Sequence, residues 1–192
     1  MEEFGGGHEA FSRLNEGRNM KTEVTIGKLK EFLGALEKRN IKYVVIAGFG
    51  VDGKRGHQTR PHQDLDVLCL KEDLPKIEEV VQSLGYSGTR YNDLYKLKRE
   101  DGSKVDLALV TEEGDEAVTY GRIAITRFPK KLFENPQIGR LKNFEYDIAP
   151  NELLRTWGEH APKGDDADYV KTLPVNPDVI KKIKRLLRDN NQ

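Results

Sequence analysis

Asp64 and Asp66 stand one residue apart at the entry to the apolar run 65–70, in the sequence QDLDVLCL. Alternate side chains of a strand point the same way, so both carboxylates would share a face with Leu68 and Leu70, while Leu65, Val67 and Cys69 face the other. Two anions that close repel unless a cation lies between them. Hard oxygen donors suit Mg²⁺, which is commonly held by one or two carboxylates and the phosphates of a substrate. A third acid fits the pair. The run 104–110, KVDLALV, sets Asp106 in the middle of an apolar strand, a costly place for a charge with neither partner nor metal. If that strand lies beside 65–70, the three acids form a triangle at one sheet edge. Such a set can hold two Mg²⁺ ions and serve an in-line phosphoryl displacement. Upstream, the turn Ala47-Gly48-Phe49-Gly50 gives backbone amides room to approach a phosphate.

These residues need a sheet to position them. Ile26, Leu29, Phe32, Leu33 and Leu36 have helical spacing, and 43–47 reads as a strand. The stretch 48–61 is polar and glycine-rich and reads as a loop with at most one short turn of helix. Asp73 is placed to cap a helix running to Leu84, with Pro75 in its first turn and Gly85 closing it. Runs 93–98 and 104–110 flank Glu100-Asp101-Gly102-Ser103, a hairpin signal. Runs 122–126 and 144–148 read as further short strands. Beyond Pro150, the runs 152–157, 166–173 and 177–187 read as helices. The expected fold is α/β (α+β): a mixed β-sheet with flanking helices over 22–149, a flexible tail over 1–21 and a small helical C-terminal region over 150–192.

Composition narrows the function. The 192 residues suit one domain of ordinary size. The 32 basic and 32 acidic side chains cancel, which argues against a generic nucleic-acid binder. No apolar run approaches the roughly 20 residues of a membrane span, and the start MEEFGGGHEAF lacks the features of a signal peptide. One cysteine, Cys69, permits no internal disulfide, so a cytoplasmic setting is expected; within its apolar run Cys69 reads as a core residue.

The run 46–70 resembles the nucleotidyltransferase superfamily, whose signature is a glycine turn, a D-x-D strand and a third acid on a later strand. It is similar, more narrowly, to the lincosamide and aminoglycoside nucleotidyltransferase branch. That pattern, approximately G-G-W-A-x-D, a glycine, T-R-x-H and D-[IL]-D, is met by Ala47-Gly48-Phe49-Gly50-Val51-Asp52, Gly56, Thr59-Arg60-Pro61-His62 and Asp64-Leu65-Asp66. Ala47 replaces a glycine and Phe49 the tryptophan. The similarity continues more weakly through the VDL around Asp106, FPKKLF and PNELL, over residues 25–173. A K-D-x-x-D of the family's C-terminal helices becomes Lys163-Gly164-Asp165-Asp166-Ala167-Asp168, with the lysine displaced by one.

The resemblance implies that Asp64 and Asp66 ligate two Mg²⁺ ions, and that Asp106 completes the shell of one and takes or positions the acceptor proton. It implies that Ala47, Gly48 and Phe49 cradle the phosphates of an NTP, most naturally ATP, with Arg60 and Lys163 (or Arg155) as cationic contacts. A nucleoside monophosphate would pass to a hydroxyl of a small-molecule acceptor, releasing pyrophosphate. The alternatives are transfer to tRNA or protein, with nucleic acid the less favoured partner, and a non-catalytic NTP-binding module. No membrane partner is expected, and a homodimer is left open.

Several residues carry two readings. Asp52 caps a short helix or touches substrate. His62 orients its loop or ligates metal. Arg60 meets phosphate, or pairs with Asp52 or Asp64. Trp157 packs its helix or stacks on a base, and His57 is a surface residue. The basic run 181–188, KKIKRLLR, is the solvated face of an amphipathic helix or a docking surface for an anionic acceptor.

Overall fold

The computed structural model describes residues 24–121, 124–160 and 165–187; the expected tail over 1–21 and Lys163 lie outside them. Strand β2 (Leu65–Leu70) runs parallel to β5 (Lys104–Glu113), with Asp66 directly beside Asp106 and Leu68 beside Ala108. On the other side of β2 lies β1 (Tyr43–Val45), antiparallel, and beyond it β9 (Phe144–Ile148), paired in parallel at Val45 and Ile148, and β8 (Gln137–Leu141). The far edge of β5 is divided. Its first half takes β4 (Leu94–Lys98), which pairs with β3 (Ser87–Tyr91), and its second half takes β6 (Glu116–Tyr120). Asp93 sits at the division: Leu109 donates its amide to the Asp93 carbonyl at 2.7 Å, and Lys71 reaches the buried Asp93 carboxylate at 2.9 Å. Beyond β6 come β7 (Ala124–Pro129) and β10 (Lys184–Leu187), completing a ten-stranded mixed sheet.

Leu65, Val67, Cys69, Leu107 and Leu109 are fully buried and alternate with the acids, so they occupy the opposite face. They share one core with α1 (Ile26–Glu37) and α3 (Leu74–Ser83). Helix α1 starts where Thr25 accepts a hydrogen bond from the Lys28 amide, and it buries Leu29, Phe32, Leu33 and Leu36, as the spacing predicts. Phe32 meets Tyr86 edge-on with ring centroids 5.5 Å apart. Burial pushes the Cys69 thiol up, as suits a core residue.

Three expectations are corrected. The stretch read as a loop from 48 contains α2 (Ala47–Arg55); its three glycines disguise it, because glycine is a poor helix former. They are there for packing. A Cβ on Gly50 would stand 2.8 Å from Leu154 Cδ2, and one on Gly53 2.7 Å from the Tyr146 hydroxyl. The helix read over 177–187 stops early: α7 is Pro177–Ile180, and β10 follows, with Arg185 opposite Thr126 on β7. Covering the open edge of β7 outweighs the helical spacing of Ile180 and Ile183. Asp73 flanks α3, but its carboxylate takes Lys76 at 2.7 Å instead of a helix amide; Gly85, at φ +72°, does close that helix.

Strands β3, β6 and β8 went unforeseen. The hairpin at Gly102 (φ +80°) forms between β4 and β5. Helix α4 (Lys131–Glu134) precedes β8, and α5 (Asn151–His160) and α6 (Asp165–Thr172) pack on each other and on α2. Among the described residues no helix is long and apolar enough to cross a membrane.

Candidate active site

The acid-bearing face of the sheet floors a cavity of about 400 Å³. Asp64, immediately before β2, Asp66 and Asp106 line it, all half-buried. The lining also includes the start of α2, with Ala47 and Gly48, together with Arg60 and His62, and further residues Thr119, Thr126, Trp157 and Arg185. Register explains the floor. Asp66 and Asp106 are partners across β2 and β5, and Asp106 and Lys96 are partners across β5 and β4. Directly opposed residues project to the same side, so the three form one charged row. The Lys96 ammonium bonds the Asp106 carboxylate. Among the described residues, no three His, Cys, Asp or Glu side chains are so arranged that they could hold a metal ion. The triangle read from the sequence is therefore a row of two acids with a lysine at its end and Asp64 at its side.

The turn from β1 into α2 is tight. Ala47 has φ +52°, in the left-handed region, where an L-residue costs about 1–2 kcal/mol. The helix has no side-chain cap at Ile46, and its first residues, Ala47 and Gly48, line the cavity. Ile46 donates its own amide to the Asp66 carbonyl at 3.0 Å, tying the turn to the acid strand. Tyr146 donates its hydroxyl to the Phe49 carbonyl at 2.8 Å. Gly48 is obligatory here: a Cβ would stand 2.5 Å from His62 Cε1 and 3.1 Å from Arg60 Nη2.

Behind that turn lies a buried polar network. Asp52, fully buried within α2, accepts hydrogen bonds from the Thr59 amide (3.0 Å), the Thr59 hydroxyl (2.7 Å) and His62 Nε2 (2.5 Å). Asp52 therefore neither caps α2 nor lines the cavity. Burial on its own would raise the Asp52 carboxyl, but the bonds from His62 and Thr59 outweigh it and hold the group below its ordinary value of 3.8. His62 stacks obliquely on Phe49, ring centroids 4.4 Å apart, and its carbonyl accepts from the Val24 amide at 2.8 Å.

Arg60 pairs with neither Asp52 nor Asp64. Its Nη2 and Nε reach Asp166 Oδ2 on α6 at 2.8 and 2.9 Å, and the Thr59 hydroxyl approaches Asp166 Oδ1 at 3.3 Å. Lys96 and Asp166 were missed in the sequence. The hairpin register could have pointed to Lys96, which is six residues before Gly102 as Asp106 is four after. Asp166 lay inside the run compared with K-D-x-x-D, but at one of its unspecified positions. Trp157 lines the cavity and meets Phe128 edge-on at 6.0 Å; His57 is exposed.

A family model of the aminoglycoside-2''-adenylyltransferases matches residues 28–142, more than half of the chain. The chain belongs to that family. Its members are nucleotidyltransferases, and the matched segment contains the D-x-D pair, the third acid and Lys96. Among solved structures, the lincosamide antibiotic adenylyltransferase LnuA, bound to lincomycin, is similar at a TM-score of 0.63 and 18% identity. The alignment covers 79% of this chain and 99% of that one. ANT(2'')-Ia, in complex with adenylyl-2''-tobramycin, is similar at a TM-score of 0.54 and 16% identity, over 71% of this chain and 78% of that one. At these identities the likeness establishes the shared fold. No curated protein matches the sequence.

Two tests follow from the turn of this adenylyltransferase-family member and the network behind it. Gly48→Ala forces a methyl against a histidine already fixed by Asp52, and is expected to cost about 2 kcal/mol by denaturant unfolding. Unchanged stability would show that His62 yields freely. Asp52→Asn is expected to cost on the order of 1–3 kcal/mol near neutral pH. Because the carboxyl is depressed in the folded state, its contribution is present above about 3.8 and fades as pH falls through the lower folded value. The stability gap between wild type and variant should therefore narrow in acid; a gap constant from pH 7 to pH 3 would contradict this account.

Proposed function

We propose that this chain is a Mg²⁺-dependent adenylyltransferase that transfers AMP from ATP to a hydroxyl of a small-molecule acceptor and releases pyrophosphate. The observation that carries the reading is Asp66 abreast of Asp106 on parallel strands, with Asp64 alongside, at the floor of a cavity whose wall is an uncapped helix start. The donor set fits a hard divalent cation, because Asp64 and Asp66 offer oxygen ligands open to the cavity. Bound there, Mg²⁺ would supply positive charge to the triphosphate and the departing pyrophosphate.

The protein's own residues do the rest. Backbone amides at Ala47, Gly48 and Phe49 receive phosphate oxygens, aided by the positive end of the α2 dipole. Arg60 lies against Gly48 while anchored to Asp166, so its guanidinium is held beside the phosphates. Asp106 accepts the acceptor's hydroxyl proton. The freed oxygen forms a bond to the α-phosphorus, and the bond from that phosphorus to the bridging oxygen breaks, with pyrophosphate carrying off the electron pair. Lys96 orients the Asp106 carboxylate and sets a positive charge beside the reacting oxygen. The adenylyl donor is supported by the family. A small molecule with a hydroxyl as acceptor is in keeping with the ligands of the solved neighbours. Lys163 is kept as a candidate nucleotide contact.

The deciding experiment measures pyrophosphate release from each NTP with Mg²⁺ and a panel of hydroxyl-bearing acceptors. Asp66→Asn and chelation by EDTA should each abolish acceptor-dependent release while folding is retained; release that survives both would sink the metal site. Lys96→Met is expected to lower kcat by about 10²-fold with little change in the KM for ATP. A variant with full kcat would mean that Lys96 only neutralises Asp106 and takes no part in the reaction.

A further inference from the structure

The cavity's charges distinguish among acceptors. Its described lining carries four carboxylates, Asp64, Asp66, Asp106 and Asp166. Asp106 is bonded to Lys96, and Asp166 to Arg60. The remaining two are those assigned above to Mg²⁺. The rest of the described lining is uncharged, with Leu68, Leu94, Ala108, Thr119, Thr126 and Trp157 among it, except for one cation, Arg185. Among the described lining residues, then, no carboxylate is left over to receive an ammonium group.

Arg185 is placed by the sheet. Val110, Thr119, Thr126 and Arg185 are successive cross-strand partners on β5, β6, β7 and β10, so they project from one face of the sheet. That is the face carrying Asp106, four residues before Val110 on β5. Among the described residues the Nε of Arg185 is buried without a hydrogen-bond partner, although the residue lines the cavity. A buried donor left unmade is costly, and a guanidinium prefers a planar or tetrahedral oxyanion.

We infer that the acceptor is not a polycation: Arg185 forms a subsite for an oxyanion of the acceptor, a carboxylate or a phosphate or sulfate ester, while Trp157 covers an uncharged part of it. The inference rests on the adenylyltransferase reading of the cavity and departs from the aminosugar substrates that the family name would suggest.

Trp157 is the single tryptophan of the chain and lines the cavity, so intrinsic fluorescence reports occupancy. The protein is loaded with Mg²⁺ and α,β-methylene-ATP, which fills the phosphate site and cannot be cleaved between its α and β phosphorus atoms. It is then titrated at constant ionic strength with inorganic sulfate, the minimal oxyanion, and separately with tobramycin, a polycation. Sulfate should give a saturable change that weakens by about tenfold or more in Arg185→Gln and is partly kept in Arg185→Lys. Tobramycin should give none over the same range. A saturable tobramycin response, or a sulfate response indifferent to Arg185→Gln, overturns the inference. Failure of the methylene analogue to bind, with an Arg185-dependent sulfate response still present in the nucleotide-free protein, overturns the transferase reading and upholds the anion subsite.

Discussion

Two like charges held abreast are the constraint on which the rest of the architecture depends. Parallel pairing of β2 and β5 puts Asp66 and Asp106 on neighbouring strands with their side chains on one face, and carboxylates so placed repel. The opposite face of these two strands offers no charge beside them, because Leu65, Val67, Val105 and Leu107 fill it. Relief comes from the edge and from above: Lys96 arrives on β4 in register with Asp106, and the cavity leaves both acids open to water or a cation. Parallel strands need a long crossover, and here the crossover is productive. It contains α3, which helps seal the apolar face, and the β3–β4 hairpin, which delivers the lysine. The next positions along β2 and β5 are Leu68 and Ala108, so the charged row ends abruptly against apolar floor.

A second, quieter constraint fixes the phosphate-facing turn. Helix α2 could not approach His62, Leu154 and Tyr146 so closely with side chains at Gly48, Gly50 and Gly53. The polar network centred on Asp52 then locks the loop that follows. Each acceptor oxygen of Asp52 is matched to a donor, which is what makes a fully buried carboxylate tolerable. Through Thr59 and Arg60 the network reaches Asp166, so a helix far along the chain is fastened to the turn that starts the site.

How much of this was legible depended on how local the cause was. The faces of β2 were readable because alternation is a property of six consecutive residues, and the β4–β5 hairpin because Asp-Gly turns are short-range. The helix α1 declared itself through Leu29, Phe32, Leu33 and Leu36. Helix α2 was hidden because its glycines answer to His62, Tyr146 and Leu154, which lie 14, 93 and 104 positions away in sequence, and propensity alone argues for a loop. β3, with every residue exposed, has no apolar rhythm to read. β10 was mistaken because a sequence such as KKIKRLLR satisfies a helical spacing as readily as an edge strand; the open flank of β7 decided it. Within the site the acids and the glycine turn could be found from their neighbours in sequence. Lys96 could be reached only through the register of the β4–β5 hairpin, and Asp166 and Arg185 not at all, since each acquires its place from a partner on a distant element.

The cavity's walls are gathered from almost the whole chain: Ile46 at one extreme, Arg185 at the other, with contributions from both halves of the sheet. During synthesis, therefore, the acid strands emerge and can pair well before the last wall exists. The pairing of β10 with β7 spans the intervening helices α5, α6 and α7, a contact between segments distant in sequence and correspondingly slow to form. Until then β7 presents an open edge able to pair with another chain. The step that brings Arg185 into the pocket lining is thus also the step that covers β7, leaving β10 and β8 as the two ends of the main strand order.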